Sequence, residues 1–374
     1  MHVHQQIQPG GGDKDDPAAE THQTRADDPS VLADLDRLIS MVAGQPDPFS
    51  ARLVRDLMVA GLKLIPDGRD NGELKLMSAA IKEMRHAYRV FGRYPHVHKV
   101  TIFGSARTAE THPDYAAAIE FSRLMAEAGW MIITGAGGGI MHAGHVGPGR
   151  DSSFGVAIRL PFETNANPVI AGSDKLIHFR YFFTRKLMFV SQAEAVALFP
   201  GGFGTLDEAY ETLTLVQTGK TSMVPIVMLE GNGGDYWHSW EQFTRSQLLS
   251  RGWISPEDTN LYHICQTPSE ATAHITRFYR NYHSSRYVGD DMVIRLRAPL
   301  RDADIEQLNA EYAPLVKSGK ICQRGPYESE SEFPHLPRLA FTHTRSKFGL
   351  LRSFIDRVNS FDAIAVPEHT SASS

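Results

Sequence analysis

The sequence predicts an α/β fold: a parallel sheet with helices on both faces, plus an N-terminal helical extension and a small C-terminal α+β appendage. Three observations predict it. Short apolar runs such as KVTIFG, WMIIT and AEAVALFP alternate with stretches of helical period, which indicates a sheet buried on both sides. Before that alternation, leucines recur at three- and four-residue steps without any strand signal. After residue 288 the order changes to strand, helix, strand, helix.

Taken in order, residues 1–29 are rich in Gly, Asp, Gln and Pro and nearly free of aliphatic side chains, the composition of a disordered tail. Residues 30–96 read as a helical extension. Leu32, Leu35, Leu38, Ile39 and Val42 share one face; Leu53, Leu57, Ala60 and Leu64 share a second; Leu74, Leu76, Ala80, Ile81, Met84 and Tyr88 mark a third helix. Residues 97–287 carry the sheet. KVTIFG is a strand, DYAAAIEFSRLMAEAG a helix stopped by Gly129, WMIIT a strand, and GAGGG a loop leading to a short helix from Ile140. SFGVAIRL is a strand, YFFTRKLMFVSQA a helix and AEAVALFP a strand. TLDEAYETLTLVQTGK is a helix from Thr205, MVPIVMLE a strand, and YWHSWEQFTRSQLLSRG and SEATAHITRFYRNYH are helices. Residues 288–364 form the appendage: strand MVIRLRAPL, helix DADIEQLNAEYAPLVKSG, strand PRLAFTHT and helix FGLLRSFIDRVNSF. Residues 365–374 read as a tail.

Composition excludes several function classes. The 374-residue chain has a net charge of −5, so nothing draws it in bulk to nucleic acid or an anionic membrane. Its only cysteines, Cys265 and Cys322, are too few for a disulfide framework and lack metal-ligand spacing. No apolar run reaches the ~18 residues of a membrane span, and MHVHQQIQPGGGDKDD lacks the basic-then-apolar order of a signal peptide. The expectation is a cytoplasmic protein with no metal, no nucleic-acid partner and no membrane contact. His142 and His145 form H-x-x-H beside a glycine loop, but no third ligand completes a pattern. Tyr236, Trp237 and Trp240 lie at helical spacing and read as core or interface. The tyrosine- and arginine-bearing run 279–287 is followed by Asp290 and Asp291, against nucleic-acid binding.

The chemistry concentrates where strands end. Gly135 and Gly137–Gly139 follow one strand, Gly201, Gly202 and Gly204 another, and Phe103-Gly104-Ser105-Ala106-Arg107 a third. Glycines let an anion approach backbone N–H groups, and a following helix points its unpaired N–H groups at the same place. Neither G-x-G-x-x-G nor G-K-[ST] is matched, since Ile140 and Thr205 stand where glycine and lysine would be needed. Thr205 and Glu208 admit two readings: a capping box, with Glu208 reaching back to the helix start, or ligand contact. The helix around Arg185 and Lys186 is apolar on all sides, so both cations need an anionic partner. That partner is either Asp207 or Glu208, or a bound phosphate or carboxylate.

The run PGGFGTLDE, with Arg185 and Lys186 about twenty residues upstream, resembles the LONELY GUY (LOG) family. Its signature is PGGxGTxxE plus an Arg-Lys pair on the preceding helix, and its members are often labelled lysine decarboxylases. FGSAR and GAGGGIM resemble the family's other two loops, with Ile-Met in place of the more usual Leu-Met. The resemblance covers roughly residues 97–282. It implies a Rossmann-like fold, a homo-oligomer that is at least a dimer, and hydrolysis of the N-glycosidic bond of nucleoside 5'-monophosphates to free base and ribose 5-phosphate. AMP and cytokinin riboside monophosphates are the implied substrates, with no cofactor. By that resemblance Arg185 and Glu208 are the catalytic pair. Gly201, Gly202, Gly204 and Thr205 hold the 5'-phosphate, with Lys186, Asp207, Ser105, Gly137, Gly138, Gly139 and Met141 as further substrate-binding residues. The same loops also suit a non-catalytic nucleotide or phosphorylated-cofactor carrier. Decarboxylation ranks last, because Lys186, the lysine beside the motifs, already has an anion-binding explanation. The extra helices and the appendage depart from the compact members; oligomer contacts suit the first, and a structural or a regulatory role the second.

Overall fold

The computed structural model describes residues 24–159 and 166–362. They divide into two compact units at residue 85/86, inside one helix. The tail segments 1–23 and 365–374 lie outside the described residues.

Residues 24–85 are helical. A 3₁₀ turn at Arg25–Asp27 is closed by Thr24, whose Oγ1 accepts from the Ala26 N–H at 3.2 Å while its own N–H donates to Asp27 at 2.8 Å. Ordered structure therefore begins before the boundary expected at residue 29. Helix α1 (Pro29–Ala43) starts on a proline, whose missing N–H is unneeded at that position. Helix α2 (Pro48–Lys63) is capped by Asp47, which accepts from Ser50 N–H at 2.8 Å. An ion pair of 3.0 Å joins Lys63 to Asp27. Helix α3 (Asn71–Phe91) runs across the division between the units.

The second unit opens with β1 (Lys99–Phe103), α4 (Pro113–Glu127), β2 (Met131–Thr134), α5 (Ile140–Val146), β3 (Ser153–Ile158) and β4 (Leu176–Phe179). It continues with α6 (Phe182–Ser191), β5 (Ala195–Leu198), α7 (Phe203–Gln217), β6 (Ile226–Leu229), α8 (Tyr236–Phe243), β7 (His263–Cys265) and α9 (Pro268–Phe278). All seven strands pair in parallel, in the order β4-β3-β2-β1-β5-β6-β7. The chain thus works outward from β1 on one side, then returns to build the other half from β5. Ligands of such sheets sit beyond the carboxyl ends of the strands where the order reverses. Val100, Ile102, Ile132, Ala197 and Val227 are fully buried with Phe121 of α4 and Ile275 of α9, the uniform apolarity that made these strands legible.

The appendage is a four-stranded antiparallel sheet in the order β10-β11-β9-β8, with β8 (Tyr282–Val288), β9 (Asp291–Leu296), α10 (Asp302–Glu311), β10 (Val316–Arg324), β11 (Arg338–His343) and α11 (Phe348–Ser360). Several sequence expectations change here. The helix expected through His283 stops at Phe278, and residues from Tyr282 enter β8. The helix expected over 302–319 stops at Glu311, because Pro314 cannot continue it and a 3₁₀ turn at Ala313–Leu315 leads into β10. Strands β4 and β7 are unanticipated; both lie at the edges of the parallel sheet, and β7 has only three residues.

Candidate functional site

Three loops meet at the β1/β5 switch point and are laced by backbone bonds. The Ser105 N–H donates to the Pro200 carbonyl and the Ile140 N–H to the Ser105 carbonyl, each at 3.0 Å. This lacing explains two glycines. Gly139 has φ +55°, and a Cβ there would stand 2.6 Å from the Ala106 carbonyl carbon; a Cβ on Gly201 would collide with the Thr205 hydroxyl. The loop after β2 is also fixed from below. Ala136 holds φ +65°, its N–H donating to Thr134 Oγ1 at 3.1 Å and its carbonyl accepting from Asn167 N–H at 2.8 Å. Asn167 Nδ2 donates to the Gly137 carbonyl at 3.1 Å. Behind it His145 is fully buried, with Nε2 within 3.0 Å of both Thr134 Oγ1 and the Phe154 carbonyl; burial pushes its pKa down to about 4. His142 instead meets the Tyr115 hydroxyl at 2.8 Å. The two histidines make separate structural contacts.

Over the loops lies a cavity of about 1000 Å³, lined from β1, the loop after β2, α5, β3, β4, α6 and the start of α7. Helix α7 begins at Phe203, two residues before the start expected at Thr205, with Gly202 as N-cap and no side-chain cap. Thr205 is therefore already inside the helix, and the capping-box reading of Thr205 and Glu208 fails. Glu208 is 7% exposed, and its Oε2 is buried without a hydrogen-bond partner. Burial raises its carboxyl to about 7, against the pull of Lys186 and Arg185. The Arg185 guanidinium donates through Nε to the Val156 carbonyl at 2.8 Å and lies 5.0 Å over the Phe189 ring. Arg185 and Glu208 thus face one cavity, close enough for the cation to act on the acid. Phe203, Gly204 and Thr205 of the first turn of α7 line that space, and a helix start suits an anion.

The structure sorts the sequence candidates. Ser105, Gly137 and Met141 line the cavity with Arg185. So do Gly202, Gly204, Thr205, Asp207 and Glu208. Gly138, Gly139 and Gly201 stand behind the lining and shape the loops. Lys186 is not on the lining: its ammonium pairs with Asp207 at 3.0 Å and with Glu211. Burial opposes that charge, but the bonds from Glu211 and Asp207 prevail and raise the pKa. Of the two partners left open for Lys186, the protein supplies the structural one. Sequence reasoning did not single out Arg107, Arg159, His178 and Phe182, which are on the lining, as site residues; it read Tyr236 as core or interface, and the Tyr236 hydroxyl donates to the Gly201 carbonyl at 2.7 Å. A strand ending in a cation, as SFGVAIR does, was the available signal for Arg159. Trp237, fully buried, donates to the Leu229 carbonyl and is core. Among the described residues, the cluster with metal-ligating spacing is His263, Cys265 and Glu270, outside the cavity. No helix among them is long and apolar enough to cross a membrane.

Residues 137–275 match the family model described as "Possible lysine decarboxylase". No curated protein matches the chain. Among solved structures, the structural-genomics protein TM1055 is similar at 20% identity, covering 48% of this chain and 99% of that one, with a TM-score of 0.37. The molybdenum cofactor carrier protein of Chlamydomonas reinhardtii is similar at 18% identity, 49% and 98% coverage and a TM-score of 0.35. The molybdenum cofactor binding protein of Rippkaea orientalis is similar at 21% identity, 48% and 94% coverage and a TM-score of 0.34.

Proposed function

We propose, from the premise that residues 137–275 belong to the LOG family, that the chain hydrolyses the N-glycosidic bond of nucleoside 5'-monophosphates. One observation carries the reading: the Glu208 side chain lines the cavity, and its Oε2 is buried with no hydrogen-bond partner among the described residues. Buried polar atoms of folded proteins are nearly always bonded, so an unsatisfied carboxylate on the wall of a cavity points to a ligand. Breaking the bond between the anomeric carbon and the base builds positive charge on the ribose, as in other oxocarbenium-like reactions. A desolvated carboxylate beneath the sugar opposes that charge strongly and can orient the attacking water. The ribose 5'-phosphate then belongs at the uncapped mouth of α7, between Gly202, Gly204, Thr205 and Ser105. Binding at that remote point supplies energy for aligning the reacting bond. Arg185, fixed by the Val156 carbonyl and on the cavity lining, is placed to meet the ribose or the departing base.

Incubation with AMP and a panel of purine, pyrimidine and cytokinin riboside monophosphates, followed by chromatography of free base, tests the reading. Release of base from at least one supports it. Saturable binding with no release from any member assigns the chain to the carrier class instead. The homo-oligomer and the cytoplasmic location belong to the same proposal; light scattering on the purified chain tests the first and fractionation of the source cells the second.

A further inference from the structure

The cavity, at about 1000 Å³, is larger than one phosphate and one ribose require, and Arg159 and His178 are on its lining. Arg159 follows β3 directly, and His178 lies on β4 in register with Ala157 of β3. Both line the same cavity as Glu208. Strands of a sheet lie about 4.8 Å apart, so the order β3-β2-β1-β5 puts Arg159 roughly 12 Å along the sheet edge from the β1/β5 crevice. A phosphate held at α7 cannot reach it. A nucleotide laid from α7 across Arg185 and Glu208 would direct its base there.

An exposed arginine alone is ordinary. What distinguishes Arg159 is its surroundings. Among the described residues its guanidinium has no ion pair. The acids on the lining are Asp207, which Lys186 occupies, and Glu208 on α7. His178 adds no negative charge: partial burial, then the Arg159 cation, holds its pKa below the ordinary value. Arg107, in the loop after β1 and also on the lining, likewise has no ion pair among the described residues. A chain of net charge −5 thus keeps, among the described residues, two cations without ion pairs on the lining of one cavity.

We propose that the cavity takes a ligand that is anionic at both ends: a nucleotide whose phosphate sits at α7 and whose base carries a further acidic group against Arg159 and His178. The proposal rests on the nucleotide reading above and narrows its substrate class. A carboxylate suits the far end, because the guanidinium fork binds it through two parallel hydrogen bonds. The volume of about 1000 Å³, at the upper end of small-molecule sites, leaves room for such a substituent.

The test compares AMP with adenylosuccinate, which is AMP bearing a dicarboxylate on the exocyclic amine of the base. Calorimetric affinities are measured on the full chain carrying Glu208→Gln, with and without Arg159→Gln. Adenylosuccinate is expected to bind about tenfold or more tightly than AMP, the size of one charge-assisted hydrogen bond. Arg159→Gln is expected to bring that ratio near one. The ratio is insensitive to partial loss of folded protein, so a less stable variant still reports. Equal affinities without Arg159→Gln, or a preference that survives it, overturn the proposal. Base release by the unsubstituted chain is followed separately. If it occurs with equal affinities, only the present inference fails; if the preference holds without base release, only the hydrolytic reading fails.

Discussion

Replacing Glu208 by Gln should stabilise the fold at alkaline pH while removing turnover. Burial lifts this carboxyl from 4.5 to about 7, with Lys186 and Arg185 pulling the other way. The folded chain therefore holds the proton more tightly than the unfolded chain does. The resulting stability is complete below pH 4.5 and is lost as the pH rises through about 7. At about 1.36 kcal/mol per pH unit, the gap between those two values sets a ceiling of about 3 kcal/mol on the strain the ionised group imposes. Glutamine keeps the shape and cannot ionise, so it removes that strain. For a unit of this size about 1 kcal/mol corresponds to roughly 2–4 °C in melting temperature, so the variant should melt several degrees higher at about pH 8.5. Near pH 4.5 the difference should vanish. Thermal melts across pH, with base release measured on the same samples, make the comparison. An equal or lower melting temperature at alkaline pH would mean that the carboxylate has a partner in the folded chain. Undiminished turnover would remove it from the chemistry.

Three further outcomes concern the framework. Gly139→Ala should cost about 1–3 kcal/mol and weaken ribose 5-phosphate binding, because φ +55° and the Ala106 carbonyl leave no room for a Cβ; unchanged calorimetric affinity would contradict the lacing of the loops. Asn359→Ala should lower the urea midpoint by an amount equivalent to about 3 kcal/mol. Its Oδ1 accepts from Asn281 and Tyr282 N–H at 2.8 and 2.9 Å and its Nδ2 donates to Phe278 and Ile355 carbonyls at 2.6 and 3.0 Å. Glu330→Ala strips the buried guanidiniums of Arg295 and Arg338 of a shared carboxylate, each at 2.9 Å, and should cost about 3–5 kcal/mol. Pairing it with Arg338→Met should recover part of that loss in a denaturant titration, since the second change removes one stranded charge.

The parallel sheet was legible because its central strands are apolar on both faces, and Val100, Ile132, Ala197 and Val227 say so directly. The edges were not. His263-Ile264-Cys265 is too short for a period, and its place beside β6 is set by pairing with Val227–Leu229, which no local pattern encodes. Val316–Arg324 alternates poorly, and only the break at Pro314 could have separated it from the helix before it. In the site, the glycine loops and the Arg185/Glu208 pair followed from motif and from the chemistry of helix mouths. The choice between capping and ligand contact at Thr205 did not, because where α7 starts is decided by the bonds that Gly202 accepts from Thr205 and Leu206. Asn167 went unremarked, and the loop-bracing contacts of His145 and Tyr236 were not foreseen, for a related reason. Each acts through a carbonyl or side chain distant in sequence, and isolated polar residues carry no spacing to read.

The start of α7 has one more consequence. A helix end lacking a side-chain cap gives up about 1 kcal/mol, and here the deficit falls where an anion would dock. The occupant then becomes the missing cap, so loading the cavity should tighten the very turn that holds it. Resistance to heat or protease near residues 200–208 would rise with ligand concentration as mass action requires, making the molecule its own gauge of whether a phosphate has arrived.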